Sequence, residues 1–371
     1  MKSSANKTVL ISGASIAGLT CAYFMQRLGY EVTVIEQADA LRTYGSAVNL
    51  TGKALDAAKQ MGIYRALKAN ALKLDKWEFK NTDDVTVGEL QTDQDKREEE
   101  IEIERDKLLQ ILIGTVQSKA TFVFGDRVTG LHETEEGIEV TFQNRSSQMF
   151  QLVLGCDGAH SGVRKLWFGP EADYIHFLNH YFSLTIVPKL LIPQGTAQMY
   201  NVPGKVVMLN AYNHKTDVCF CFYSEEQLDY DYRDTDQQSR IIEQHFTGQG
   251  WRTTELLGEM QQAETTYFDQ FCQVKMPRWT KGRVALVGDA AHCASPAAGI
   301  GGSLAMAGAA ALADALTKHP GDYTLAFQEY EQSLRPFVEE VQATAVNMLH
   351  HYLIPPTEEA IRERNTLQMF G

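Results

Sequence analysis

The stretch Arg283-Val-Ala-Leu-Val-Gly-Asp-Ala-Ala-His292, continued by Ser295-Pro-Ala-Ala-Gly-Ile-Gly-Gly302 and an alanine-rich run, constrains this chain more than any other. Val284 to Val287 form a short apolar run ending at Gly288, the pattern of a buried strand in a parallel sheet. Asp289 then stands at the carboxyl end of that strand, where open α/β sheets hold their ligands. Gly299 to Gly302 let backbone N–H groups approach a ligand, and Ser303 to Lys318 read as the helix that follows, stopped by Pro320-Gly321. A helix start directs positive partial charge outward. The stretch therefore predicts a site that holds a polyol through Asp289 and a developing anion at the helix start. The plainer alternative is a strand-turn-helix whose glycines only relieve crowding.

A chain of 371 residues exceeds what one core usually serves, so two domains are expected. The formal charge of −13 argues against a nucleic-acid backbone or an anionic membrane as the main partner. Six cysteines include no C-x-x-C pair and read as buried free thiols in a reducing cytosol. The apolar stretch Val9 to Met25 is interrupted by Ser12, Gly13, Ser15, Gly18 and Thr20 and so reads as neither leader nor membrane span. A soluble cytoplasmic protein is expected, as a monomer or weak dimer without stable membrane association. His350-His351 has no carboxylate or cysteine at ligand spacing, so no metal is expected. His292 reads as a structural hydrogen-bonder, and Ser161 lacks the G-x-S-x-G setting of a hydrolase nucleophile.

Thr8 to Ser12, the turn Gly13-Ala-Ser-Ile-Ala-Gly18, a helix from Leu19 to Leu28 and the strand Glu31 to Glu36 form the β-α-β unit of a dinucleotide site. Gly13 makes the tight turn, Gly18 lets helix and strand pack closely, and Glu36 can accept both hydroxyls of an adenosine ribose. The middle glycine of G-x-G-x-x-G is Ser15 here, whose Cβ restricts the approach. Arg42 and Gly45-Ser46 follow, then a helix near Lys53 to Met61. The run Asp93 to Glu104 reads as an exposed charged face, with Glu100 to Glu104 as a half-buried strand and Arg105 opening an amphipathic helix. Thr121 to Phe124, Arg127 to Glu133 and Ile138 to Phe142 read as a meander. Phe150 to Asp157 is another buried strand, so Asp157 and Asp289 close two strands far apart in sequence. From Tyr174 to Glu264 the texture becomes that of antiparallel hairpins, an inserted second domain. Tyr323 to Leu353 reads as a long helical tract, broken or kinked near Pro336 and stopped at Pro355-Pro356.

Gly13-x-Ser-x-x-Gly18 with Glu36, Arg105 opening a helix, Cys156-Asp-Gly158 with Ser161 and Arg164, and Gly288-Asp289 with the Pro296 to Gly302 loop resemble the group A flavoprotein monooxygenases, the aromatic hydroxylases. The short chain is similar to the tetracycline-inactivating members of that family. The resemblance implies an α/β fold: an FAD-binding Rossmann-like domain of the glutathione-reductase type (residues 1–75, 100–172 and 265–322), an inserted antiparallel-sheet substrate domain (76–99 and 173–264) and a C-terminal helical segment (323–371) bridging them. It implies FAD held by Gly13, Ser15, Ile16, Ala17, Gly18, Glu36, Gln37, Arg42, Gly45, Ser46, Arg105, Asp157, Gly158, Gly288, Asp289, Pro296, Gly299, Gly301 and Gly302.

It further implies that NADPH or NADH reduces FAD, that O2 adds at the flavin C4a carbon, and that the hydroperoxide hydroxylates an aromatic or enol carbon. No side chain is assigned as catalytic; the amides of Gly299, Gly301 and Gly302 are expected to steady negative charge on the flavin. Pro296, Ala297 and Ala298 with Gln198, Tyr200, Met208, Asn210, Tyr212, Phe220 and Phe222 are expected around the substrate, although period two leaves open which sheet face carries it. Three departures stand out. Ser15 replaces glycine, which the family tolerates. Ser303 replaces a common asparagine, and no arginine lies between Thr196 and His214, where tetracycline-binding relatives present one. An FAD oxidase or reductase of this fold, or a flavin-free binding protein, are the alternatives.

Overall fold

The computed structural model describes residues 7–92 and 100–366. The charged run from Asp93 lies, through residue 99, outside the described residues. The chain divides into two compact units: residues up to Ala71 with Ile103–His176 and Cys272–Ala343, and Leu72–Glu102 with Phe177–Phe271 and the chain from Thr344 onward.

The first unit is built on a six-stranded sheet in the spatial order Thr280–Lys281, Val284–Leu286, Leu152–Gly155, Thr8–Ser12, Glu31–Glu36, Thr121–Phe124. All joins are parallel except the edge hairpin of Thr280–Lys281 with Val284–Leu286. The central strands are almost continuously apolar because helices cover both faces of such a sheet. Thr121–Phe124 is thus an edge strand of the parallel sheet and not part of the expected meander, which consists of Val128–Glu133, Ile138–Phe142 and Gln148–Phe150. Alternating apolarity marks a strand but does not name its neighbour.

Two helices pack closely beside this sheet. Ile16–Arg27 and Gly301–Lys318 lie against each other, and the second, Gly-Ser-Leu-Ala-Met-Ala-Gly-Ala-Ala-Ala over residues 302–311, is buried on nearly every side. Small side chains let backbones approach, and a helix apolar all round belongs in an interior. The helix Tyr323–Met348 runs through Pro336 without a break and passes into a π turn at Leu349–Leu353, so the expected interruption falls later than the proline. Among the described residues no helix is long and apolar enough to cross a membrane.

The second unit holds a seven-stranded sheet in the order Thr266–Val274, Ile175–Val187, Lys215–Tyr223, Lys205–Tyr212, Thr196–Val202, Lys76–Lys80, Thr86–Gln91. One join, Thr196–Val202 with Lys76–Lys80, is parallel, so the sheet is not uniformly antiparallel. Register places Tyr181, Tyr200, Val207, Leu209, Val218, Phe220 and Phe222 on one face, where they pack with Ile242 and Phe246 of the helix Thr235–Phe246 and Leu256, Leu257 and Met260 of Thr253–Gln262. Phe220 is wholly buried and meets Phe246 edge-on with ring centroids 4.9 Å apart. Phe220→Ala is expected to cost about 3–5 kcal/mol, the usual range for emptying such a position. A shift of the urea midpoint far smaller than that would show that the ring is not packed as described.

Candidate functional site

The first turn is set by close backbone approach. Gly13 (φ +105°) donates its N–H to the Ile35 carbonyl at 2.7 Å, and a Cβ there would collide with the Cys156 carbonyl. A Cβ on Gly18 would strike the carbonyl oxygen of Gly13. Helix Ile16–Arg27 therefore starts hard against the strand end, with the N–H groups of its first turn facing outward. Glu36 is engaged locally: its two carboxylate oxygens accept the amides of Ala14 and Ala38, each at 3.0 Å. Each oxygen retains a second lone pair, so a diol can still be received. Gln37 and Arg42 are exposed, and Gly45 and Ser46 are half-buried.

The second turn follows Leu152–Gly155. Asp157 accepts the Ser161 hydroxyl and, at 3.0 Å, the Val163 amide, and Ser161 in turn accepts the Arg164 amide at 3.0 Å. Ser161 is thus a helix cap and Asp157 its anchor. Burial pushes the Asp157 carboxyl above the usual range, while the bond from Ser161 opposes the shift. Arg164 is 0% exposed and donates to the carbonyls of Ala159 and Ala290, the latter at 3.0 Å. One guanidinium so ties the Asp157 turn to the Asp289 turn. The sequence marks Arg164 only as part of a motif; nothing in its spacing reveals this cross-link.

Asp289 opens the short helix Asp289–His292 after Gly288. Burial raises its carboxyl, and the positive charge of Arg105 acts against that rise. Arg105, first residue of the helix Arg105–Val116, donates to the Ser15 hydroxyl at 2.7 Å. The Gly13, Asp289 and Arg105 segments therefore converge at one end of the sheet. The glycine loop behaves differently from the expectation in one respect: the Gly299 amide donates to the Pro296 carbonyl at 3.0 Å and is used inside the turn. The amides of Gly301, Gly302 and Ser303 belong to the first turn of Gly301–Lys318, which a helix leaves without carbonyl partners. Pro296 is exposed, and Ala297 and Ala298 are half-buried beside it. Ser303 is buried and bridges the Asn49 carbonyl and the Thr51 amide, both at 2.9 Å, so it braces a neighbouring strand.

His292 is buried against Trp279, ring centroids 4.7 Å apart, and neither ring nitrogen has a hydrogen-bond partner among the described residues. It is a packed neutral imidazole, its pKa lowered to about 4 by burial, and not the expected hydrogen-bonder. Of the six cysteines, five are buried, Cys219 is half-buried, and all are free. Among the described residues no group of three or more metal-ligating side chains occurs.

In the second unit the expected substrate residues separate by sheet face. Tyr200, Phe220 and Phe222 belong to the helix-covered core, and Gln198 shares their face and donates to Glu78 at 2.8 Å. The side chains of these four, expected around the substrate, are engaged on that face. Met208, Asn210 and Tyr212 lie on the opposite face. There Tyr212 donates to the buried Asp217 at 2.8 Å, and Asn210 reaches Glu102 at 3.5 Å. Burial raises the Glu102 carboxyl, the bond from Asn210 opposes the rise, and the charge of Asp217 adds to it.

A dinucleotide-binding parallel sheet with several ligand turns at one end, joined to a second sheet-rich unit, defines a flavoprotein class. The chain belongs to the FAD binding domain family, whose model matches residues 6–344. A flavin-dependent monooxygenase of Legionella longbeachae is 31% identical over 368 residues, spanning 98% of this chain and 94% of its own. The uncharacterized protein Rv1260 of Mycobacterium tuberculosis is 35% identical over 344 residues, spanning 91% and 92%. The solved structure of tetracycline destructase Tet(55) superimposes with a TM-score of 0.87 at 33% identity, covering 99% of this chain and 96% of that one. The protein is an FAD-dependent monooxygenase.

The residues present fit that cofactor. Glycine at positions 13 and 18 lets the helix start lie against the strand end with its first-turn amides facing outward, and a cationic side chain stands at the same helix start. Asp289→Ala is expected to weaken FAD retention, read as a smaller flavin absorbance near ~450 nm per protein after gel filtration. Undiminished flavin content would remove Asp289 from the site. Glu102→Gln tests the second unit. A carboxyl raised in the folded state contributes stability below its unfolded pKa and loses it as pH rises through the folded value. The urea midpoint of Glu102→Gln relative to wild type should therefore improve as pH rises above the ordinary glutamate value of 4.5. A difference that stays constant as pH rises would refute the buried, raised carboxyl.

Proposed function

We propose that this monooxygenase hydroxylates an aromatic or enol-bearing small molecule, polycyclic or polyketide-like, using NADPH or NADH as reductant and O2 as co-substrate. FAD, when bound, supplies the redox chemistry that passes electrons from the nicotinamide to oxygen and an oxygen atom to the substrate. The observation that carries the reading is the convergence of the Gly13, Asp289 and Arg105 segments at one sheet end, in a chain of this family.

The chain's own residues then have separable tasks. Gly13, Ser15, Ile16, Ala17 and Gly18 would receive the pyrophosphate at a helix start, and Glu36 the adenosine ribose. Asp157, Gly158 and Asp289, braced through Arg164, would receive the polyol side of the cofactor. The amides of Gly301 and Gly302 would face negative charge on the ring system, where preorganised donors act without reorganisation. On the face of the second unit's sheet opposite its helices, half-buried Phe182, Ile186, Met208 and Cys219 offer an apolar surface, with Asn210 and Glu102 as polar groups beside it. That mixture suits a flat, hydroxyl-bearing substrate. Solved relatives named tetracycline destructases support a polycyclic antibiotic as one member of the substrate class. The missing arginine between Thr196 and His214 favours a substrate held differently from tetracycline itself.

The test is a panel of phenols, quinones and polyketides assayed for stimulated NADPH oxidation, with mass spectrometry of the products. At least one compound should stimulate turnover and gain a single oxygen atom. Peroxide as the only oxygen product across the panel would contradict hydroxylation and favour an oxidase.

A further inference from the structure

Ser15 occupies the N-cap position of the helix Ile16–Arg27 in extended backbone geometry, φ −99° and ψ −164°. A serine there ordinarily turns its oxygen onto an amide of the helix's own first turn. This one makes no such capping bond. Its hydroxyl oxygen accepts Nη2 of Arg105 at 2.7 Å, across 90 positions of sequence. The first backbone bond of the helix runs from the Leu19 amide to the Ser15 carbonyl at 2.9 Å, so the amides of Ile16, Ala17 and Gly18 precede the ladder. A serine that declines to cap leaves those donors for an anion.

The same bond fixes where the guanidinium sits. Arg105 has a long side chain that loses rotamer entropy in any fixed position. The Ser15 hydroxyl meets its tip, and Gly45, where a Cβ would lie 2.5 Å from Arg105 Cδ, crowds its stem. No acidic side chain occupies the first turn of Ile16–Arg27. The positive charge of Arg105 also acts on Asp289.

We infer that Ser15 is a positioning residue: it aims Arg105 at the start of the helix Ile16–Arg27, so that one guanidinium and one helix terminus together neutralise the pyrophosphate of FAD. The hydroxyl takes the place of the fingerprint's middle glycine and exchanges some closeness of backbone approach for a held cation. The inference goes beyond FAD binding itself, because it assigns part of the affinity to a contact between two side chains and predicts that they act as one unit.

The experiment follows FAD release from the holoenzyme after dilution, by recovery of free-flavin fluorescence, at low and high salt. Wild type is compared with Ser15→Ala, Ser15→Thr, Arg105→Gln and the Ser15→Ala/Arg105→Gln double variant. Ser15→Ala should release FAD about tenfold faster, the scale of one charge-assisted hydrogen bond. Ser15→Thr, which keeps the hydroxyl in an extended backbone that tolerates branching, should stay near wild type. In the Arg105→Gln background the serine change should have under about twofold effect, and the salt dependence of release should be shallower, since a phosphate-neutralising cation is gone. Equal acceleration by Ser15→Ala in both backgrounds, or none in either, would overturn the inference. Rescue by the conservative Ser15→Thr variant guards against misfolding: if it too releases FAD about tenfold faster while melting like wild type, the hydroxyl is not the agent.

Discussion

Close backbone approach at the end of the parallel sheet is the constraint on which the rest depends. Gly18 sits against the Gly13 carbonyl and Gly13 against Cys156, so a helix start, a strand end and the Asp157 turn are held within a side chain's width of one another. Only residues without a Cβ permit this. The alanine-rich helix Gly301–Lys318 extends the same principle by lying against Ile16–Arg27 with small side chains between them. Two helix starts and two aspartate turns are thereby presented at one sheet end.

Polar cross-links hold these turns in register where packing alone would not. Arg164 ties Ala159 to Ala290, Glu36 ties Ala14 to Ala38, and Ser303 ties the glycine-loop helix to the backbone at Asn49 and Thr51. Each bridges segments distant in sequence or closes a turn that glycine left loose. Buried polar groups are costly to leave unbonded, so these bonds favour one arrangement of the loops.

Much of this was legible in the sequence, and what was not has a physical reason. The unit Thr8 to Glu36 and the run Val284 to Asp289 carry strand period, turn glycines and terminal acids in a fixed order, so fold and cofactor class could be read directly. The bonds of Glu36, Ser15 and Arg164 could not, because each partner lies on another segment or is a backbone group without sequence identity. The face of the second sheet was hidden for a different reason. Tyr200, Phe220 and Phe222 alternate as strand residues should, yet only the helices packed on them tell inside from outside. The long strand Ile175–Val187 is hard to see in the sequence because His176, Asn179, His180 and Ser183 break its apolar pattern.

The central claim is that turns from separate strands grip one long cofactor together. Amide hydrogen exchange of the protein with and without FAD tests it most directly, since bound amides exchange through local opening. The account predicts protection on FAD binding at residues 13–18, 36–38, 157–163, 288–290 and 300–304 at once, with the helices Thr235–Phe246 and Thr253–Gln262 unchanged. Protection confined to a single one of these segments, or absent from all of them, would contradict it.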